Sequence, residues 1–145
     1  MRILEARSED DAHRWRHYVD GTENYSHYHR WGWKQVIEDA FGWPTYYLMA
    51  EEAGRIVGVL PLVWQKSRLF GSFLTSLPFL SGGGVAACSQ AVEEGLVQEA
   101  SALARRLNVS HVELRHRREP NGNFRVVVSR VLRPAGSGTR PAERQ

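Results

Sequence analysis

The chain has 145 residues, 42% of them hydrophobic, and a formal net charge of +3 at pH 7. This size predicts one domain of ordinary dimensions with room for a core. Residues 115–145 hold eight arginines and two glutamates, a net of +6, so residues 1–114 carry 3 − 6 = −3. A mildly acidic body lacks the basic face that binds nucleic-acid phosphates, so DNA binding is not expected.

The apolar runs, the N-terminus and the cysteine content predict a cytoplasmic protein without a membrane span. The longest apolar run, residues 56–64, is under half of the roughly 20 residues that a membrane helix needs. Residues 1–5 show no signal-peptide pattern. The single cysteine, Cys88, can form no disulfide within the chain, which fits a reducing compartment. His27 and His29 lack a third ligand at suitable spacing, so no metal site is predicted.

The first elements in chain order are a short strand and two helices. Residues 2–6 alternate and predict a strand. Ser8, with Asp11 three residues later, predicts the N-terminal cap of a first helix. The buried stripe of that helix is predicted to be Ala12, Trp15 and Val19. A second helix shows apolar residues at i, i+3, i+4, i+7 and i+8 and then two helix-ending residues. These residues are Trp33, Val36, Ile37, Ala40 and Phe41, followed by Gly42 and Pro44.

A meander of three strands is predicted next. Residues 45–50 and 56–63 are apolar runs joined by a short glycine-containing loop, which is typical of a β-hairpin. Residues 72–77 predict the following strand. Gly58 is predicted to mark a bulge or a close approach of another element, and Pro61 to lie near the end of the ladder.

A glycine-rich loop, a long helix and a last strand complete the predicted domain. Residues 81–84 end the meander, Ser89 begins the helix, and Asn108 ends it in a left-handed conformation. The helix stripe is predicted to be Val92, Leu96, Val97, Ala100, Leu103, Ala104 and Leu107. Residues 110–115 form the strand, and the intervening helix makes it parallel to an earlier strand of the same sheet.

The C-terminal residues carry weaker signals. Residues 124–128 could form one more hairpin strand, and the chain beyond Arg133 has almost nothing to bury, which predicts disorder. The resulting order is β-α-α-β-β-β-α-β, a mixed twisted α/β sheet with helices on both faces. That order is associated with the GNAT acyltransferase fold.

Several segments resemble the FemAB family, most closely the FemAB-like proteins that accompany the exosortase and PEP-CTERM export system. They are residues 33–37, 41–42, 46–50, 54–62, 66–71, 76–79, 83–84 and 112–115. The resemblance implies an acyl- or aminoacyltransferase built from two tandem GNAT-like domains. It would transfer its group to an amine on a cell-envelope or exopolysaccharide-linked acceptor, held between the domains. The implied donor is aminoacyl-tRNA or acyl-CoA.

Residues 1–117 would form the N-terminal GNAT-like domain, and residues 118–145 a strand and an Arg/Pro/Gly-rich tail. The second domain that the resemblance implies is not recognised after Arg117. We therefore expect a truncated half-protein that is inactive alone. The alternative hypothesis is a non-catalytic GNAT-like binding or interaction module.

Candidate substrate-binding residues surround the second helix and the meander. Arg30 and Lys34 flank tryptophans, including Trp33, in the region where the resemblance implies the acceptor cleft. The alternative places Trp33 in the core and Lys34 in solvent. The run Lys66, Ser67 and Arg68 could meet phosphates of a nucleotide-linked acceptor, or could form a solvated basic turn.

Two further candidates lie in the glycine run and the last strand. Gly83 belongs to a run whose backbone N–H groups could cradle a phosphate, or which could be a flexible turn. No Arg or Gln precedes these glycines, and several residues separate them from Ser89, so this half is expected to bind no CoA. Glu113 alternates with apolar neighbours and is a candidate general base, or else an ordinary partner of Arg115.

Overall fold

The structure, a computed structural model, describes residues 1–23, 27–69, 71–76, 84–115 and 126–130. The strands are β1 Arg2–Glu5, β2 Thr45–Glu52, β3 Arg55–Ser67, β4 Gly71–Ser76, β5 Ala86–Ala87, β6 His111–Arg115 and β7 Val126–Arg130. The helices are α1 Glu9–Gly21, α2 Gly32–Phe41 and α3 Gln90–Arg106, with a 3₁₀ helix at His27–His29.

The strands form one mixed sheet, which confirms the predicted fold class. Their order is β1-β2-β3-β4-β6-β7, and β5 pairs with β3. Strands β4 and β6, joined through α3, are parallel, as predicted, and the other pairs are antiparallel. Strand β5 was not predicted, and β7 lies two residues beyond the predicted hairpin strand. The predicted turn at residues 81–83 and the tail beyond Arg133 lie outside the described residues.

Helix α3 packs on one face of the sheet, and α1 packs on the other. Val92, Leu96 and Ala100 of α3 join a core with Leu48, Leu60, Leu62 and Leu74, as the helix stripe predicted. Trp15 and Val19 of α1 pack with Tyr47, Met49 and Val59. Neighbouring residues of β2 and β3 thus belong to different cores, because successive side chains of a strand point to opposite faces of the sheet.

The predicted N-terminal cap of α1 is present. The Ser8 hydroxyl accepts a hydrogen bond from the Asp11 N–H at 3.1 Å, and the Asp11 carboxylate accepts from the Ser8 N–H at 3.0 Å. Backbone hydrogen bonds from Arg7 and Ser8 lower the pKa of Asp11. These reciprocal bonds fix where α1 starts and so where its buried face meets the sheet.

Gly58 lies both next to a β-bulge and at a close approach of another element, the two features predicted for it. The β2–β3 register shifts between Ala50 and Glu51, so β3 carries one extra residue there. A Cβ atom added at Gly58 would lie 2.6 Å from Cγ1 of Val92. Helix α3 therefore packs against bare backbone at this point.

The predicted stripe of α2 is wrong in part. Ile37 is buried at 3% exposure and packs on Val63, but Val36 is 49% and Phe41 47% exposed. The helix lies over the end of β2 and faces it through Lys34, Ile37 and Glu38, since Lys34 and Glu38 both hydrogen-bond Thr45. The side of the helix that carries Lys34, Ile37 and Glu38 is rotated relative to the predicted apolar stripe. Val36 and Phe41, at the edges of that stripe, therefore lie outside the core. The cap at Gly42 is confirmed by its φ of 65° and its N–H bond to Glu38.

The ladder also continues further than predicted. Strand β3 runs six residues past Pro61 to Ser67 and pairs there with β4. Pro61 pairs with Tyr47 on β2 and lies between the segments of β3 that pair with β4 and β5. A proline is tolerated there because no ladder bond on that edge needs its missing N–H.

Replacing Ile37 with Ala should lower the free energy of unfolding by about 2–5 kcal/mol, because it leaves a cavity beside Val63. Val36→Ala on the exposed side of the same helix should change it by less than about 0.5 kcal/mol. Chemical denaturation of both variants measures the difference. Equal losses would contradict the orientation of α2.

Replacing Gly58 with Ala should cost about 1–3 kcal/mol, because the new methyl group overlaps Val92. Gly32→Ala is the matched control, since nothing lies within 4 Å of a Cβ atom there. Thermal and chemical unfolding of both variants test the packing of α3 on β3. A neutral Gly58→Ala would show that α3 sits further from the sheet.

Candidate active site

One row of side chains crosses four strands on the sheet face that α1 and α2 cover. The strand registers align Thr45 with Val63, Val63 with Thr75, and Thr75 with Glu113. Val63 packs on Ile37 of α2, which fixes the face to which the row points. At a strand spacing of about 4.8 Å the row is about 14 Å long.

A charged network closes the α2 end of the row. The Lys34 ammonium donates to Glu38 Oε1 at 2.6 Å and to Thr45 Oγ1 at 2.7 Å, and the Thr45 hydroxyl donates to Glu38. Desolvation raises the pKa of Glu38, but the hydrogen bonds from Lys34 and Thr45 outweigh it, and the net pKa is lowered. The network therefore holds Glu38 ionised and keeps Lys34 fixed against the sheet.

Two buried hydroxyls face the same side of the sheet and have no hydrogen-bond partner among the described residues. They belong to Thr75, 1% exposed, and Tyr47, fully buried between Trp15 and Trp31. Burial, with a smaller contribution from the charge of Glu38, raises the pKa of Tyr47 far above its usual value. Both groups are therefore neutral hydroxyls that can donate to a carbonyl oxygen.

The other end of the row lies at the parallel junction of β4 and β6. Only Leu74–Val112 and Thr75–Glu113 are paired across it in the described residues. Strand β4 ends at Ser76, whereas β6 continues to Arg115. The half-buried Glu113 thus stands one strand spacing from the unpartnered hydroxyl of Thr75.

The edge of β3 beside this junction is interrupted. Continuing the β3–β4 register would place residue 79 opposite Val59, but Ala86 lies there, so 86 − 79 = 7 residues are inserted. Leu60 and Pro61, in the middle of the sheet, have no partner on this edge among the described residues. Sequence reasoning missed the insertion, because strand β5 is only two residues long.

Side chains from α1 and the 3₁₀ helix fix the point where the chain returns to the sheet. His29 Nε2 donates to the Gly84 carbonyl at 2.6 Å, and Trp15 Nε1 donates to the His29 carbonyl at 2.7 Å. The Tyr18 hydroxyl lies 3.2 Å and 3.3 Å from the carbonyl oxygens of Val57 and Ala86. His29 therefore has a structural contact, and no cluster of three metal-ligating side chains occurs among the residues that the structure describes.

The structure places the predicted site residues in two groups. Lys34 and Glu113 stand towards opposite ends of the row, while Trp33 packs half-buried beside Ile37 and Arg30 is exposed before α2. Gly83 lies outside the described residues. Of these residues, Glu113 is the one beside the unpartnered hydroxyl.

The basic run stands apart from that row. Lys66 lies over the Trp64 ring at 4.0 Å, and Trp64 packs on the α3 face of the sheet. Ser67 ends β3, and Arg68 is exposed in the following turn. Lys34 and Lys66 thus lie on opposite faces, so they do not form one basic patch.

Sequence reasoning missed Thr45, Tyr47 and Thr75 as members of the site. Tyr47 was interpreted as a residue of the core and sheet face, which matches its packing but not its unpartnered hydroxyl. Threonines in strands are common, and no local pattern distinguishes these two. Only the register across strands shows that they share a row with Glu113.

Comparison with solved structures identifies the architecture. A GNAT family acetyltransferase from Brucella melitensis, solved in complex with acetyl-CoA, matches 87% of this chain and 86% of its own, with a TM-score of 0.57 and 18% identity. The chain has a GNAT-like fold. A tandem GNAT protein from the clavulanic acid biosynthesis pathway matches 77% of this chain at a TM-score of 0.51 and 13% identity.

The comparisons establish the fold and no closer relationship. The chain spans 35% of the tandem GNAT protein, as one GNAT-like domain would. No family model and no curated protein matches the sequence. In the described part of the chain, no helix has the length and apolar character needed to span a membrane.

Thr75→Val should leave the free energy of unfolding unchanged or raise it, because it removes a buried hydroxyl that has no partner. Thr45→Val is the matched control in the same row. It should cost about 1–3 kcal/mol, since it breaks the bonds to Lys34 and Glu38. Chemical denaturation of the pair measures the contrast, and a large loss at Thr75 would show that its hydroxyl is satisfied within the protein.

Proposed function

We propose that this chain is a GNAT-fold N-acyltransferase domain whose reaction takes place at the Thr75–Glu113 end of the row. The observation that supports it is a buried, unpartnered hydroxyl directly beside a carboxylate where two parallel strands meet. In the aminolysis of an acyl ester or thioester, a carboxylate can act as the general base and a hydroxyl can stabilise the developing oxyanion.

The chemistry divides between these residues. The Glu113 carboxylate accepts a proton from the acceptor amine as its nitrogen attacks the acyl carbon. The Thr75 hydroxyl donates a hydrogen bond to the carbonyl oxygen, where negative charge develops. The new C–N bond replaces the C–S or C–O bond of the donor, and the leaving thiol or alcohol takes a proton. The Lys34–Glu38–Thr45 network keeps the opposite end of the row in place, which contributes through positioning.

Acyl-CoA is the first donor to test. The similar acetyltransferase from Brucella melitensis was solved with acetyl-CoA, which supports this choice. The sequence predicts instead that this half binds no CoA, and the segment before α3 supports that view. Ala86 and Ala87 pair with β3, and the Cys88 N–H donates to the Val57 carbonyl at 2.9 Å. The Cys88 N–H is therefore used within the sheet, and the Ala86 carbonyl also accepts from the Tyr18 hydroxyl.

The finer proposal follows the FemAB resemblance. In it, residues 1–117 form the N-terminal domain of a cytoplasmic two-domain transferase, and the acceptor is an amine on a cell-envelope or exopolysaccharide-linked molecule. Aminoacyl-tRNA is then the second donor to test. The exposed apolar side chains Val36 and Phe41 on α2 support a partner domain at that surface. The commitment of residues 86–88 to the sheet favours the alternative, a non-catalytic GNAT-like module.

An acyl-transfer assay tests the proposal. The full chain is incubated with acetyl-CoA, or with charged tRNA, and a panel of amino sugars, polyamines and lysine peptides, and mass spectrometry detects the acylated amine. Glu113→Gln should lower the rate by about 10²–10⁴-fold, because it removes the base. Glu52→Gln, an exposed carboxylate at the end of β2, is the matched control and should leave the rate unchanged.

The split between kcat and KM separates a base from a structural carboxylate. As the base, Glu113 acts in the transition state, so Glu113→Gln should lower kcat and leave the KM for the acceptor amine nearly unchanged. Transfer that survives Glu113→Gln would contradict its role. No transfer with either donor would favour the non-catalytic module or a requirement for the second GNAT-like domain. Adding a second GNAT-like domain in trans decides between these two, because transfer would then appear only in the latter case.

A further inference from the structure

A groove of about 830 Å³ opens between α1 and the turn that joins β2 to β3. Its walls come from α1, from the β2–β3 turn and from the residue before the α3 cap. They are His13, Arg14, His17, Tyr18, Gly21, Thr22, Gly54, Arg55, Ile56 and Cys88. The volume lies within the range of small-molecule sites, roughly 300–1,000 Å³.

Among the described residues that line the groove, the ionisable side chains are mostly basic and none is a carboxylate. His13, His17 and Arg55 make no hydrogen bond or ion pair with the described residues, so their polar atoms are available to a ligand. Arg14 is held by Glu51, whose second oxygen binds Arg2. The groove therefore presents an excess of positive charge in a body whose net charge is negative.

Fixed backbone holds these groups in place. Ala53 and Gly54 both have positive φ angles, 48° and 77°, which makes the β2–β3 turn tight and sets the position of Arg55. His13 and His17 are four residues apart on α1, so their rings are neighbours on one face of the helix. The Tyr18 hydroxyl, bonded to backbone, anchors the floor.

The groove is separate from the acyl-transfer row. Arg55 and Val63 are eight residues apart on β3, about 26 Å along an extended strand. Cys88, at the edge of the groove, lies on the side of the sheet interruption away from Thr75. A ligand in the groove would therefore not occupy the row.

We propose that this groove binds a phosphorylated small molecule of about mononucleotide size. The Arg55 guanidinium can bind phosphate oxygens in a bidentate manner, and the imidazoles of His13 and His17 donate from the facing wall. Tyr18 and Ile56 supply aromatic and apolar surface for the organic part of the ligand. Phosphate recognition and an apolar wall together fit an organic phosphate better than a free anion.

The single cysteine makes the test direct. Cys88 is exposed, lines the groove and is the one cysteine of the sequence. Its rate of alkylation by the neutral reagent iodoacetamide is measured with ADP, with inorganic pyrophosphate and with adenosine. ADP should slow the reaction and adenosine should not. Pyrophosphate at the same concentration should protect less than ADP, because the organic part of the ligand adds affinity.

Charge variants locate the contact. Arg55→Ala and His17→Ala should each weaken ADP binding, measured by calorimetry, by about tenfold. Arg16→Ala is the matched control, because it removes a positive charge from the same helix outside the groove. Binding should also weaken with salt, since exposed charges are screened beyond about 8–10 Å.

Three results would overturn the proposal. They are an unchanged Cys88 rate at saturating ADP, equal protection by adenosine, and equal weakening by Arg16→Ala and Arg55→Ala. The last would mean that ADP responds to the net charge of the chain and not to the groove. None of these readouts uses acyl transfer, so the outcome is independent of the function proposed for the row.

Discussion

The pairing of β3 is the constraint on which the rest of the structure depends. This strand pairs with β2 along one edge and with β4 and then β5 along the other, and the seven inserted residues separate the last two. Pro61 lies at that separation, where a missing N–H breaks no ladder bond. After the interruption, β5 pairs with β3 at Gly58, where α3 packs close to the bare backbone.

The elements on the α1 face are arranged around this return point. His29 binds the carbonyl of Gly84, and Trp15 binds the carbonyl of His29, so one chain of hydrogen bonds links α1, the 3₁₀ helix and the end of the insertion. Buried hydrogen bonds of this kind specify a single arrangement, because each group is costly to leave unpaired. The hydroxyls of Tyr47 and Thr75 are the exceptions on the same face. Buried hydroxyls without partners lower the stability of the fold, and such a loss is common at sites where a protein binds ligands.

The charge of one surface of this domain differs in sign from the net charge of residues 1–114. Residues 1–114 carry a net charge of −3, yet no carboxylate lies among the described residues that line the groove beside α1. The acids of this region are used within the protein: Asp11 caps α1, Glu51 binds Arg2 and Arg14, and Glu38 binds Lys34. Arg55, His13 and His17 make no such bond with the described residues, and all three line the groove. The net charge of a chain does not show whether its surface holds a local site for a small anion.

The sequence by itself determined the elements whose signals are local. The Ser8–Asp11 cap, the α3 stripe, the hairpin and the parallel crossover follow from periodicity and capping over a few residues, and all are present. Tertiary structure alone decided the orientation of α2 and the composition of the row. The apolar residues of α2 satisfy a helical period, but Lys34 and Glu38 turn it towards Thr45. Thr45, Thr75 and Glu113 lie far apart in the chain and become neighbours only through strand register, which depends on the bulge at Gly58, the insertion and the packing of both faces together.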